Sequence, residues 1–236
     1  MRLIALACIA ALSGCVVTTQ APPSPQPAPA KPAAKRPMTP TNAQLQSFSR
    51  VVRTMEPVAE RECRRRTQGM NCDFKIVVDD RPGRPANAFQ TLDRSGRPIL
   101  AFNLAFIAQA RNAHELAFVM GHESAHHISG HIGRQRQNAA AGAILLGGIA
   151  AITGAGSSTI SNAQDIGAAM GARSYSKDFE LEADALGTII TKRAGYDPIR
   201  GAQFFTQIPD PGNRFLGTHP PNAKRMETVI RVNNSL

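Results

Sequence analysis

One segment, from Asn112 to Ser129 (NAHELAFVMGHESAHHIS), constrains the fold of this 236-residue chain more than any other. Asn112 is a candidate N-cap and Gly130 a candidate stop signal, which together bound a helix. Four apolar residues recur inside it at helical spacing: Leu116, Ala117, Met120 and Ala125. His122 and His126 stand four residues apart, so a helix puts both imidazoles on one face, aimed at one point.

Two imidazoles at this spacing are typical of a helix that binds a single zinc ion. Glu123 follows the first of them directly and is therefore offset from the ligand positions, beside the metal. That placement suits a general base acting on water at the metal. The alternative is a surface helix that carries unrelated histidines.

A second segment can complete the ligand set, because catalytic zinc takes three protein ligands and leaves a fourth position open. Residues 176–194 predict a helix with Ser176 as N-cap and Gly195 as stop. Its core-facing residues are Phe179, Ala183, Leu186 and Ile190. Glu180 is the candidate third ligand; the alternative for it is a solvent-facing carboxylate.

Asp184 lies one helical turn after Glu180, where it is expected to accept the ring N–H of a ligand histidine and fix its tautomer. Glu182 is expected to point elsewhere, into solvent. His114 and His127 are interpreted as partly exposed helix residues. His131 is expected to cap a helix or orient a ligand, because the three ligand positions are already filled. The set predicts one Zn²⁺ per chain.

The order of the remaining elements favours an α+β fold. Residues 42–68 predict a helix, residues 73–79 a strand, and residues 87–90 and 98–101 two further short strands around a Ser95-Gly96 turn. Residues 103–110 predict a short helix, and most of the rest is helical. Strands followed by helices, without βαβ alternation, give this class.

Residues 139–172 contain eleven Ala and seven Gly. They predict a helical hairpin over the core or the cleft; a mobile lid or a membrane-touching element is the other interpretation.

Another open choice concerns a basic cluster in the first helix, which is either a solvated face or a contact for anionic lipid. Its members are Arg61, Arg64, Arg65 and Arg66.

The first residues of the chain are typical of an export signal. Leu3–Leu12 is apolar but too short to span a bilayer, and Leu12-Ser13-Gly14-Cys15 resembles the bacterial lipobox. We therefore expect a lipoprotein signal peptide over residues 1–14 and lipid on Cys15. Residues 15–40 form a Pro/Ala-rich tether, and residues 41–236 form the folded domain. The alternative is a plain secretory signal.

Composition narrows the function classes. The net charge of +10 suits nucleic acid, an anionic membrane or acidic partners, and the export signal argues against nucleic acid. No apolar run reaches 18 residues, which excludes a protein with several membrane spans. Val16 and Val17 follow Cys15, and this resembles the sequence after the lipidated cysteine in lipoproteins that are sent to the outer membrane. We therefore expect a periplasmic protein that is lipid-anchored at the outer membrane.

Two cysteines, Cys63 and Cys72, remain after the signal peptide and the lipid site are set aside. In an oxidising periplasm they most simply form a disulfide. Two buried free thiols are the alternative.

The chain resembles zinc metallopeptidases of the HtpX/CAAX-prenyl-protease type, in their periplasmic lipoprotein branch, over roughly residues 45–235. The resemblance rests on GHESAH at 121–126, on ELEAD at 180–184 (matching ExxAD), and on THPP at 218–221 with Arg225 (matching HPxxxxR). It implies a gluzincin fold: a mostly helical metallopeptidase domain with a small sheet beside the HExxH helix. It also implies that Glu180 is the third ligand.

The same resemblance places an edge strand along the substrate cleft, at Asn87, Ala88 and Phe89. It makes His219 and Arg225 candidate donors to the oxyanion; His219 is alternatively a zinc ligand in a resting state. The chain lacks the membrane spans of HtpX itself, which argues against substrates within the membrane.

The combined interpretation is a zinc-dependent endopeptidase of the bacterial cell envelope, with Glu123 as general base. Its substrates are expected to be unfolded or misassembled envelope proteins. The alternative function is a chaperone or assembly factor for outer-membrane proteins, with a regulatory or weakly active zinc site.

Overall fold

The computed structural model describes residues 38–174, 176–212 and 219–236. These residues contain eight α-helices, one 3-10 turn and three β-strands. The helices are α1 (Asn42–Arg66), α2 (Leu104–Gln109), α3 (Ala113–Ile128), α4 (His131–Ile152), α5 (Ser157–Ser174), α6 (Ser176–Arg193), α7 (Pro198–Ala202) and α8 (Asn222–Asn233). The 3-10 turn is Gln203–Gln207. The strands are β1 (Lys75–Asp79), β2 (Ala88–Leu92) and β3 (Pro98–Asn103). The predicted α+β class is confirmed.

The three strands form a mixed sheet in the order β1-β3-β2. The central strand, β3, is parallel to β1 and antiparallel to β2, with Phe102 opposite both Val78 and Ala88. Among the residues that the structure describes, β2 is therefore an edge strand. The helix before the sheet contacts the central strand: α1 begins with a capping box at Thr41, and its Phe48 ring packs edge-on against that of Phe102, with ring centroids 5.3 Å apart.

Helix α3 runs through the middle of the protein. Every residue from Glu115 to Ala125 is buried, because α1, α6, α7 and the sheet all pack around it. Its ends match the sequence prediction. The Asn112 side chain accepts a hydrogen bond from the backbone N–H of Glu115, and Gly130 follows the helix with a φ of 66°, a left-handed conformation that glycine adopts without strain.

Helices α3 and α6 cross with almost no space between their backbones. A Cβ atom at Gly187 would lie 2.9 Å from the backbone nitrogen of His122, and one at Gly121 would lie 2.9 Å from the carbonyl oxygen of Gly187. Both distances are too short for a real Cβ, so glycine at these two positions permits the crossing. The crossing sets how near side chains on α6 can come to those on α3.

Helices α4 and α5 form the predicted hairpin, although it begins earlier than expected, at His131. Glycines also line its seam: a Cβ at Gly142 would lie 2.1 Å from the carbonyl oxygen of Gly167. Several aliphatic side chains on the hairpin are exposed, namely Ile144, Leu145, Ile149, Ile152, Ile166 and Met170. None of the helices that the structure describes is both long enough and apolar enough to cross a membrane.

The structure joins Cys63 and Cys72 in a disulfide that ties the end of α1 to the loop before β1. The nearby arginines of α1 pair with glutamates on their own helix: Arg64 contacts Glu60, and Arg66 contacts Glu62. The predicted signal peptide, the lipidation site Cys15 and the tether up to residue 37 lie outside the described residues.

Candidate metal centre

Three side chains from two helices meet at one point. The Nε2 atoms of His122 and His126 on α3 lie 3.0 Å apart. Glu180 on α6 places Oε2 3.5 Å from Nε2 of His122 and Oε1 3.4 Å from Nε2 of His126. All of these ligand atoms lie within 4.8 Å of one another.

These distances fit a zinc ion. Tetrahedral zinc holds nitrogen and oxygen ligands at about 2.0–2.2 Å, so two of its ligand atoms are about 3.3 Å apart. The three separations above bracket that value, and two imidazoles with one carboxylate form a ligand set that catalytic zinc commonly takes. Three protein ligands leave the fourth tetrahedral position for water or substrate.

A buried ion pair orients the first imidazole. Oδ1 of Asp184 lies 2.9 Å from Nδ1 of His122, and Asp184 itself has no exposed surface. Arg225 on α8 donates two hydrogen bonds of 2.7 Å to this carboxylate, and its Nη2 lies 3.4 Å from Oε2 of Glu180. Because Nδ1 of His122 faces the carboxylate, Nε2 is turned toward the cluster.

The two carboxylates make this point favourable for a cation. Burial alone would lower the pKa of His122, but the bonds to Asp184 and Glu180 outweigh it and raise the pKa to about 10. Burial would raise the pKa of Glu180, but contacts with the two histidines hold it well below its ordinary value. The metal-free site therefore holds a proton where a metal would bind.

A different partner orients the second imidazole. Nδ1 of His126 lies 2.8 Å from Nδ1 of His131, the first residue of α4, whose Nε2 lies 3.2 Å from Oε2 of Glu182. Arg134 also donates to Glu182, at 2.7 Å. Burial and the neighbouring imidazole of His126 lower the pKa of His131 to about 4, so its ring is neutral at pH 7.

The candidate metal site, formed by His122, His126 and Glu180, opens into a cleft of about 410 Å³. Glu123, which is 9% exposed, lines this cleft beside the two histidines. Four residues around the edge strand form another part of the wall: Asn87, Ala88, Phe89 and Gln90. Phenylalanines from α2, α3 and the 3-10 turn also contribute, namely Phe106, Phe118, Phe204 and Phe205.

Asn103 holds the start of β2 in place beside the cleft. Its side-chain amide donates to the carbonyl of Pro85 at 2.6 Å, and its Oδ1 accepts from the backbone N–H of Asn87 at 3.0 Å. The same oxygen accepts from the N–H of Phe106 and so caps α2. One side chain thereby links the edge strand to the helix that follows the sheet.

His219 stands near the cluster, with Nε2 3.9 Å from Oε2 of Glu180 and about half of its side chain exposed. Of the other histidines, His114 is half-buried, as expected, and its Nδ1 accepts from the N–H of Asp197. The prediction for His127 is wrong. His127 is buried because the loop before β1 covers it: its ring packs edge-on against that of Phe74, with centroids 5.4 Å apart, and its Nε2 lies 2.7 Å from the carbonyl oxygen of Asn71.

Glu182 also differs in part from its prediction. It remains half-exposed, but it pairs with Arg134 and His131 and is not simply solvated. Sequence reasoning also missed the contributions of Gly121, Gly187 and Asn103. The only signal for the glycines was their presence in helices that would otherwise favour alanine, and that signal does not reveal which helix comes close.

Comparison with known proteins supports the resemblance stated above. A Vibrio cholerae protein provisionally named beta-barrel assembly-enhancing protease is 32% identical to the chain over 138 residues. The match covers 52% of this chain and 26% of the relative, so the matched part of the chain corresponds to about a quarter of the length of that protein.

The profile of Peptidase family M48 matches residues 45–232, which include both helices of the metal cluster and all three strands. That span includes most of the residues that the structure describes, and the family consists of zinc metallopeptidases. The chain is therefore a member of peptidase family M48.

Proposed function

We propose that the chain is a zinc-dependent endopeptidase of the bacterial cell envelope. The observation that carries the proposal is that the His122, His126 and Glu180 side chains meet at zinc-ligand spacing, with Glu123 beside them in one cleft. We propose these three as ligands of one Zn²⁺. A purely structural zinc site would use four protein ligands and need no cleft.

Bound zinc would polarise the scissile carbonyl and lower the pKa of an attacking water. Glu123 would accept the proton of that water and pass it to the leaving amine. His219 is proposed as a donor to the oxyanion or as a ligand in a resting state, and its position near Glu180 supports both roles.

The resemblance predicts that Arg225 also donates to the oxyanion. Its two bonds to Asp184 and its burial favour a positioning role, in which it holds the carboxylate that orients His122. We therefore propose Asp184 and Arg225 as supports of the metal ligands. The hydrogen-bond donor of the oxyanion is then left to His219.

The proposed substrate lies along β2. This strand pairs with β3 on one side within the described residues, and Asn87, Ala88 and Phe89 line the cleft. An extended peptide could add to that edge by backbone hydrogen bonds. Strand addition needs little sequence preference, which suits unfolded or misassembled envelope proteins as substrates.

We further propose a periplasmic location at the outer membrane, through lipid on Cys15. The support is the lipobox-like sequence and the relative whose name refers to beta-barrel assembly. The partners are then envelope proteins and the membrane.

The decisive experiment is the Glu123→Gln variant. Cleavage of an unfolded protein such as reduced, alkylated casein should fall by at least about 100-fold, because a general base typically contributes 10²- to 10⁴-fold. Zinc content should remain one per chain, since Glu123 is not a ligand. Glu227→Gln is the matched control, because Glu227 is exposed on α8, away from the cleft. Wild-type cleavage by Glu123→Gln would refute the proposed base.

The second candidate function, a chaperone or assembly factor, is favoured by the relative's name alone. The same variant separates the two. If Glu123→Gln fully restores a deletion strain, then binding and not hydrolysis is the function.

A further inference from the structure

The two histidine ligands are held by different kinds of partner. His122 faces the carboxylate of Asp184, which Arg225 holds, and all of these groups are buried. His126 faces an imidazole, that of His131, at 2.8 Å. A carboxylate accepts a hydrogen bond in any case, whereas an imidazole nitrogen accepts only when its proton is on the other nitrogen.

Metal binding at Nε2 of His126 determines the positions of the protons. Nε2 must be free of hydrogen, so Nδ1 of a neutral His126 carries the proton and donates it. Nδ1 of His131 is then the acceptor, and the proton of His131 is on Nε2. That nitrogen faces Oε2 of Glu182 at 3.2 Å, where it donates. Both contacts are satisfied by one arrangement of protons.

The remaining contacts keep His131 in this orientation. Its ring stacks on that of Phe179, with centroids 4.6 Å apart and planes 11° from parallel. Arg134 lies over the same phenylalanine ring and binds Glu182. His131 is 4% exposed, while the Glu182 side chain is 44% exposed. The chain of hydrogen bonds therefore runs from the metal cluster to the surface.

We propose that His131 is a positioning residue for the metal site: it accepts the Nδ1–H of His126 and so turns Nε2 toward zinc, and Glu182 fixes the tautomer of His131. The proposal rests on the proposed zinc site. It makes the start of the α4–α5 hairpin part of the metal centre, because His131 is the first residue of α4.

Two variants of the full chain separate hydrogen bonding from packing. His131→Phe keeps an aromatic ring against Phe179 and has no acceptor. His131→Asn loses the ring but places Oδ1 near the position of Nδ1. Zinc dissociation constants are measured by competition with a chromophoric chelator, with folding checked by circular dichroism.

We expect His131→Phe to weaken zinc binding by about 10- to 100-fold, the range for lost partners of metal-bound histidines, and His131→Asn to weaken it less. Glu182→Gln should fall between wild type and His131→Phe. The proposal is overturned if His131→Phe binds zinc as wild type does, or if it loses no more affinity than His131→Asn.

A second measurement does not depend on zinc. In the metal-free protein, ¹⁵N chemical shifts should show His126 with its proton on Nδ1 and His131 with its proton on Nε2. The opposite tautomers in a folded protein would refute the proposal. If wild type bound no zinc while the tautomers were as expected, the proposed function would fail and the hydrogen-bond assignment would stand. Should His131→Phe not fold, His131→Asn, Glu182→Gln and the tautomers still decide.

Discussion

At the scale of single residues, protonation of His122 is expected to compete with metal binding. Asp184 and Glu180 raise its pKa to about 10 despite burial, so the metal-free site is protonated at neutral pH. A zinc ion at the proposed site would have to displace that proton, because Nε2 cannot bind both. The same carboxylates that attract zinc thus also strengthen its competitor.

Zinc affinity should therefore rise with pH. Below a pKa of about 10 each unit of pH lowers the concentration of the competing proton tenfold, so the dissociation constant should fall close to tenfold per unit between pH 7 and 9. Chelator competition at several pH values gives this slope, and calorimetry in two buffers counts the released protons.

The Asp184→Asn variant is the control for this slope. Without the carboxylate charge the pKa of His122 should drop, and the dependence on pH should flatten above that lower pKa. A wild-type dissociation constant that does not change from pH 7 to 9 would contradict the assignment of the proton to His122.

At the scale of elements, the crossing of α3 and α6 determines whether the proposed ligands can meet. His122 and His126 are adjacent by helical periodicity alone, but Glu180 reaches them only because Gly121 and Gly187 allow the backbones to touch. A methyl group at either position meets backbone atoms, which cannot move aside as a flexible side chain can.

Gly187→Ala should therefore weaken zinc binding by more than tenfold and lower stability by about 1–3 kcal/mol, the usual cost of overpacking. Zinc titration and urea unfolding check the two effects. Gly148→Ala is the matched control, since this glycine of α4 has open space around it and should gain slight stability. Unchanged zinc affinity in Gly187→Ala would show that the crossing has more tolerance than the geometry indicates.

The same elements show how far sequence reasoning reaches. The pairs His122/His126 and Glu180/Asp184 could be predicted because each depends only on helical spacing within one segment. The meeting of His131 with Glu182, 51 residues apart, depends on how α4 leaves α3 and lies beside α6. No periodicity within one segment carries that information, so the sequence leaves His131 with two alternative roles and predicts solvent exposure for Glu182.

At the scale of the whole molecule, the proposed anchor on Cys15 can be tested separately from the enzyme. In a bacterium that processes lipoproteins, wild-type protein should fractionate with membranes, and Cys15→Ala should appear in the soluble periplasmic fraction. Zinc binding by the purified Cys15→Ala protein should be unchanged, because the proposed ligands are His122, His126 and Glu180. A membrane-bound Cys15→Ala protein would point to another attachment, and the exposed aliphatic residues of the hairpin would be the first place to look.

The edge position of β2 would restrict the proposed substrates, here called clients, to polypeptides that have lost their own structure. Strand addition requires a polypeptide whose own N–H and C=O groups are unpaired, and those of a native helix or sheet are already in use. Discrimination would then rest on the state of the client and not on its identity. A correctly assembled neighbour would be spared without any dedicated recognition element, and any envelope protein would become vulnerable when it loses its structure.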